Sequence, residues 1–188
     1  ENLIDQEIQA AKKHEKNGIT LKVNNLVDHH LINKLYQASN AGVKIKLIIR
    51  GICSLVTGVD NQSENITAIS IVDRFLEHPR VSIFENKGQP KVYLSSADWM
   101  SRNLDQRVEV TCPIYDPSVK QSIIDIITIQ FRDNTKARSL DTMQSNNYQS
   151  TLHIPKIRAQ VAIYDYLKKQ QLEKSAEEKQ IEIKTSHG

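Results

Sequence analysis

His78 stands two residues before Arg80, and Ser95-Ser96-Ala97-Asp98 follows a short apolar stretch downstream. Histidine exchanges protons near neutral pH, while an arginine fork and small hydroxyl groups suit the oxygens of a phosphate. Arg50 closes the apolar run Leu47-Ile48-Ile49, and Arg107 ends the polar stretch after Trp99. The cations are segregated. Of eight arginines, five (Arg50, Arg74, Arg80, Arg102, Arg107) fall between residues 50 and 107, against two of seventeen lysines. Lysine is the ordinary solubilising cation, whereas arginine binds phosphate oxygens in a bidentate fashion, so the pattern favours an oxyanion site over a generally basic face.

Among six histidines, His14, His29, His30, His153 and His187 have ordinary places on helix faces, at a helix start, before a proline or in the tail. His78 ends an apolar, helical-looking turn before a strand, where an imidazole can be held facing a ligand. Arg80 and Arg102 either bind phosphate or pair with Glu77, Asp98 or Asp105. Ser95 and Ser96 either donate to an anion or serve a turn. Interleaving with arginines makes Asp98 and Asp105 salt-bridge partners rather than metal ligands, so no metal site is expected. Trp99 and Met100 read as core.

The chain of 188 residues carries a formal charge of +3, too little by itself to indicate a nucleic-acid or membrane-surface binder. Cys53 and Cys112 stand far apart and form no metal or disulfide framework, which suits a reducing compartment. No run of eighteen apolar residues is present and the start has no signal-peptide pattern, so a fragment of a longer cytoplasmic protein is expected.

The elements that must position these groups follow from periodicity. A helix over 3–16 ends at Asn17-Gly18. Ile19–Val23 alternates as a strand, Asp28 caps a helix reaching Ala41-Gly42, and Val43–Ile49 is a strand that becomes wholly apolar. This β-α-β pattern implies a parallel pair with a right-handed crossover. Ile66–Val72 is a further strand, Val81–Phe84 and Lys91–Leu94 a hairpin, Val108–Ile114 another strand, and Ser118–Arg132 a helix. Residues 133–150 read as a long polar connection, with a partly helical one as the alternative. A last helix spans about Pro155–Leu172, with Pro155 in its first turn. Beyond it, 173–188 form a charged, disordered tail.

His78-Pro79-Arg80 with Ser95-Ser96-Ala97-Asp98 resembles a degenerate copy of the phospholipase-D-like H-x-K and G-S-x-N signature, with arginine for lysine, serine for glycine and aspartate for asparagine. A closer resemblance, to the bacterial polyphosphate kinases, spans about Asp5 to Leu167. It rests on Val23-Asn24-Asn25-Leu26-Val27-Asp28, Ile49-Arg50-Gly51-Ile52-Cys53, Ser63-Glu64-Asn65-Ile66 and Phe75-Leu76-Glu77-His78. Ser95 to Met100, Arg102 to Val110 and Val161-Ala162-Ile163-Tyr164-Asp165-Tyr166 complete it. The resemblance implies that Arg50 and His78 contact ATP phosphates and that Arg107 joins them. Arg80, Ser95, Ser96 and Arg102 are weaker candidates for the same phosphates.

The expected fold is α/β, a mixed, largely parallel sheet flanked by helices, phospholipase-D-like, over residues 1–172. The resemblance implies the C-terminal catalytic part of a polyphosphate kinase. Such an enzyme moves the ATP terminal phosphate to polyphosphate, reversibly, through a phosphohistidine in a preceding domain. Mg²⁺ would be held mostly by other domains, and this fragment alone would be inactive. Expected partners are ATP or ADP, polyphosphate, the preceding domains and a second copy, without nucleic acid; the expected location is the cytoplasm, with peripheral membrane association open. Two alternatives stand beside this: a phosphodiesterase or nuclease half-domain, and a non-catalytic polyanion-binding module.

Overall fold

The computed structural model describes residues 1–149 and 155–185, with side chains through residue 175. Helix α1 (Asn2–Lys12) leads into strand β1 (Ile19–Val23), then α2 (His29–Asn40) and β2 (Ile45–Ile49). Strands β3 (Ile66–Ile71), β4 (Arg80–Phe84) and β5 (Lys91–Ser95) follow, then the short helix α3 (Ser101–Gln106). Strand β6 (Thr111–Ile114), helix α4 (Pro117–Phe131), strand β7 (Ala137–Ser139) and helix α5 (Ala159–Thr185) complete the chain.

Local chemistry explains most of these boundaries. The Asp28 carboxylate accepts from the Leu31 N–H at 2.9 Å and caps α2, and Gly42 supplies the left-handed turn after it at φ +92°. Asp116 accepts from the Ser118 and Val119 N–H groups, with Pro117 opening α4. Helix α1 stops earlier than the Asn17-Gly18 signal suggested. Its left-handed residue is His14, at φ +55°, and Gly18 instead donates its N–H to the buried Glu7 carboxylate at 3.0 Å. Glu7 also accepts from the Asn86 N–H at 2.7 Å, tying the helix to the β4–β5 turn.

Among the described residues the strands form one sheet in the order β6-β5-β4-β1-β2-β3-β7. The mixed α/β architecture is as expected, but parallel pairing is confined to β1-β2 and β2-β3, and the flanking pairs are antiparallel. The reason is connection length. Parallel neighbours need a long crossover, supplied here by α2 and by residues 50–65, whereas the tight β4–β5 turn permits only a hairpin. Strand β7 lies inside the stretch read as a loop, with its Ala137 opposite Ile71 on the free edge of β3. Three residues with a single apolar position are too short to show a period.

Side chains alternate across the sheet and divide the core in two. Leu21, Val23, Ile45, Leu47 and Ile49 pack with Ile4, Ile8, Ile32 and Leu35 of α1 and α2. Ile48, Ile69, Val81, Ile83 and Val92 face the other way, toward Ile127 of α4. Each fully buried Leu or Ile contributes about 1.5–3 kcal/mol, so these layers hold the strand ends rigidly in place.

Helix α5 begins at Ala159 rather than Pro155, because the buried Asp133 carboxylate accepts the Ala159 N–H at 2.6 Å and fixes the start there. The stretch after Leu172, read as a disordered tail, is helical through Thr185. Its Glu, Lys, Gln and Ala residues are strong helix formers. His153 and His187 lie outside the described residues.

Candidate functional site

Strands β1, β2 and β3 end where the antiparallel β4 and β6 begin and where β5 ends, so one end of the sheet gathers segments remote in sequence. Asn24, Arg50, His78, Arg80, Ser95, Asp98 and Asp133 all lie within a few residues of a strand terminus on that side. In open sheets with parallel strands, this is the end at which ligands bind.

Asp98 is the centre of the arrangement. It is 5% exposed, and its two oxygens accept from the Asn24 N–H at 2.8 Å and the Asn25 amide at 3.0 Å. Arg80 donates to it from Nε at 2.9 Å and from Nη2 at 3.2 Å, a bidentate pair. Burial opposes ionisation, but Arg80 and the two asparagine donors outweigh it and hold the Asp98 carboxyl at about 2. Of the two readings of Arg80, the ion pair with Asp98 is the one observed.

The same guanidinium lies against His78, with Nη1 3.0 Å from Nδ1 and Nη2 3.2 Å from Nε2. A neutral ring accepts at one nitrogen only, set by its tautomer. His78 is exposed, and residues 72–79 form an irregular loop rather than the helical turn expected. Pro79 disfavours helical geometry at His78, and the Gln160 side chain takes both backbone groups of Phe75.

That loop is fastened at both ends. Arg158 donates to Asp73 at 2.6 and 2.8 Å, and Gln160 donates to Glu77 at 3.0 Å. Glu77 also accepts from the buried Lys22 ammonium and from Gln130. Burial draws the Lys22 ammonium below its usual pKa, with Glu77 working against it. The Glu77 carboxyl is desolvated as well, yet Lys22, Gln160 and Gln130 hold it below the usual carboxylate range.

Arg50 donates from Nε to the Asn24 side-chain oxygen at 2.9 Å. Asn24 is therefore a link between Arg50 and Asp98. Its amide Nδ2 is buried and has no hydrogen-bond partner among the described residues. Gly51 is required next to Arg50, since a Cβ there would lie 2.7 Å from Asn25 Oδ1 and 3.0 Å from the Asn24 carbonyl.

Arg107 is exposed at the end of α3, and it and Arg80 add to the pull of the Ser96 and Asn103 hydrogen bonds that lower the Glu109 pKa. Ser95 bonds Thr111 at 2.9 Å and accepts the Ala97 N–H at 3.1 Å, while Ser96 donates to Glu109 and accepts the Val110 N–H at 3.0 Å. Both hydroxyls are thus occupied in turns. Arg102 sits exposed on α3. The structure brings Arg50, His78, Arg80 and Arg107 to one end of the sheet, with Arg80 neutralised.

Sequence reasoning missed Asn24 as a connector and the anchoring of the His78 loop by Arg158 and Gln160. Side-chain amides carry no period or charge pattern, and α5 lies far downstream. Among the described residues no group of three or more His, Cys, Asp or Glu side chains stands close enough to hold a metal ion. No helix among them is long and apolar enough to cross a membrane.

The family described as "Polyphosphate kinase C-terminal domain 2" matches residues 1–160. The chain is 60% identical over 166 residues to a polyphosphate kinase of Vibrio parahaemolyticus, covering 88% of this chain and 24% of that protein. The chain therefore spans about a quarter of such relatives. The crystal structure of polyphosphate kinase from Porphyromonas gingivalis superposes with a TM-score of 0.88 at 47% identity, covering 90% of this chain and 26% of that one. Nuc from Salmonella typhimurium, a phospholipase D family member, matches at a TM-score of 0.52 and 16% identity, over 71% of this chain and 88% of its own. That likeness is one of fold.

Proposed function

Since the chain belongs to the polyphosphate kinase C-terminal domain 2 family, we propose that it forms part of the phosphoryl-transfer site of such an enzyme. The reaction is the reversible transfer of the ATP terminal phosphate to polyphosphate, with the phosphohistidine carried by a different part of the enzyme. Arg50, His78 and Arg107 bind and neutralise the phosphates.

The observation that carries this reading is the set of cationic or ionisable side chains gathered at one sheet end. Arg50, which donates from Nε to Asn24 and is in no ion pair among the described residues, would face an anionic oxygen bound at that sheet end. In phosphoryl transfer the protein mainly positions groups and offsets charge on the equatorial oxygens. Arg50 and Arg107 supply fixed positive charge in this scheme. His78, held by the anchored loop and by Arg80, contacts the phosphates in this scheme. The donor set for Mg²⁺ is assigned to other parts of the enzyme, and no step here depends on it.

The test is transfer of labelled terminal phosphate from ATP to polyphosphate by an enzyme carrying this chain. Arg50→Ala and His78→Ala should each lower the rate by about 100-fold or more, as loss of a charge-stabilising group does. Arg132→Ala, an exposed cation at the end of α4, should leave it unchanged. Normal transfer by both site variants would refute the proposal.

A further inference from the structure

Arg138 lies on β7 directly opposite Ser70 of β3. Its guanidinium carbon stands 3.9 Å from the centre of the Tyr148 ring, and Nη1 donates to the Asn146 carbonyl at 2.9 Å. Stacking on an aromatic face holds a guanidinium flat while leaving its edge available to an acceptor. Arg138 shares with Arg50, Ser70, Gln144 and Asn146 the lining of a depression of about 530 Å³.

The charge in this depression is not settled within the chain. Arg80 and Arg158 are each held bidentately by an aspartate, but neither Arg50 nor Arg138 is in an ion pair among the described residues. The lining acid, Asp141, accepts instead from the Ser145 N–H at 2.8 Å and from the Ser145 hydroxyl. Two half-buried guanidinium groups around one hollow repel each other, and an anion between them removes that cost. Ligand sites run from about 300 to 1,000 Å³, so this hollow has room for more than a single phosphate.

We propose that the depression between Arg50 and Arg138 is a subsite for a condensed phosphate chain, with Arg138 as a direct ligand of its oxygens. The inference rests on Arg50 being a phosphate-binding residue and adds Arg138 as a second cation on the same phosphates. The chain could be the triphosphate of ATP or the inorganic polymer, which share the same linked, doubly flanked phosphates.

The test is calorimetric titration of the 188-residue chain with inorganic tripolyphosphate and, separately, with ATP. Arg138→Ala should weaken tripolyphosphate about tenfold or more, the effect of losing one charge-assisted contact. Arg138→Gln keeps a donor for the Asn146 carbonyl and should show the same loss, which guards against a folding defect in the alanine variant. Arg132→Ala controls for net charge and should bind as the unaltered chain does. Loss toward both ligands supports the subsite with the ATP tail as an occupant; loss toward tripolyphosphate alone supports it with the inorganic polymer. If Arg50→Ala weakens binding and folded Arg138 variants do not, the subsite is overturned while the role of Arg50 stands. If neither position matters, or the unaltered chain does not bind tripolyphosphate, both are overturned.

Discussion

Asp98 takes four hydrogen bonds, two of them from Arg80, and so fixes the cation against which His78 rests. Its folded-state pKa of about 2 lies below the ordinary 3.8, so the folded chain binds this proton less readily than the unfolded chain does. The stability Asp98 contributes is therefore fully present above about pH 4 and is lost as pH falls through the folded value near 2. Asp98→Ala leaves the partly buried Arg80 with an uncompensated charge and should cost about 3 kcal/mol, read as a lowered midpoint in urea. It should also flatten the acid limb of the stability curve; an unchanged midpoint would show that the pair contributes nothing. The Arg80–Asp98 pairing was legible in the sequence as one of two readings, because interleaved opposite charges near a turn usually neutralise each other. Asn24 was not, since an amide that bridges two remote charges leaves no trace in composition.

Helix α5 and the residue before it reach from the far end of the chain to hold the His78 loop, through Arg158 on Asp73 and Gln160 of α5 on Phe75 and Glu77. The helix is itself started by Asp133, which accepts from the Thr135, Lys136, Ala137 and Ala159 N–H groups. One buried carboxylate thus sets β7 and α5 together. Gln160→Ala should let the loop drift and reduce polyphosphate synthesis about tenfold or more while the protein stays folded, since small misplacements of a reacting group are costly. Steady-state rates check this, and an unaltered rate would mean that the loop holds its shape unaided. Strands β1 to β5 and helices α2 and α4 could be read from period and caps, because each carries enough apolar positions to define a face. Strand β7, the stop of α1 at His14 and the start of α5 could not, because each is decided by a partner far away in sequence.

The chain spans 24% of the Vibrio parahaemolyticus relative, and the proposed mechanism takes its phosphohistidine from elsewhere in the enzyme. The 188-residue chain alone should accordingly show no transfer from ATP to polyphosphate in an assay of labelled polymer, and turnover by it would overturn the division of labour. The expectation of a largely parallel sheet went too far for a related reason: the β-α-β unit was clear, but strand order depends on which edges the hairpin and β7 occupy. The family resemblance, by contrast, was carried by long ordered motifs and needed no geometry. The central claim is that Arg50, His78 and Arg107 act on one group of phosphates. A mutant cycle over these three positions, measured as the rate of polyphosphate synthesis, tests it most directly. Residues that serve one transition state are strongly non-additive, so each single alanine should cost about 100-fold or more and the triple variant little beyond the worst single one. Losses that simply multiply, or single variants at the unaltered rate, would contradict it.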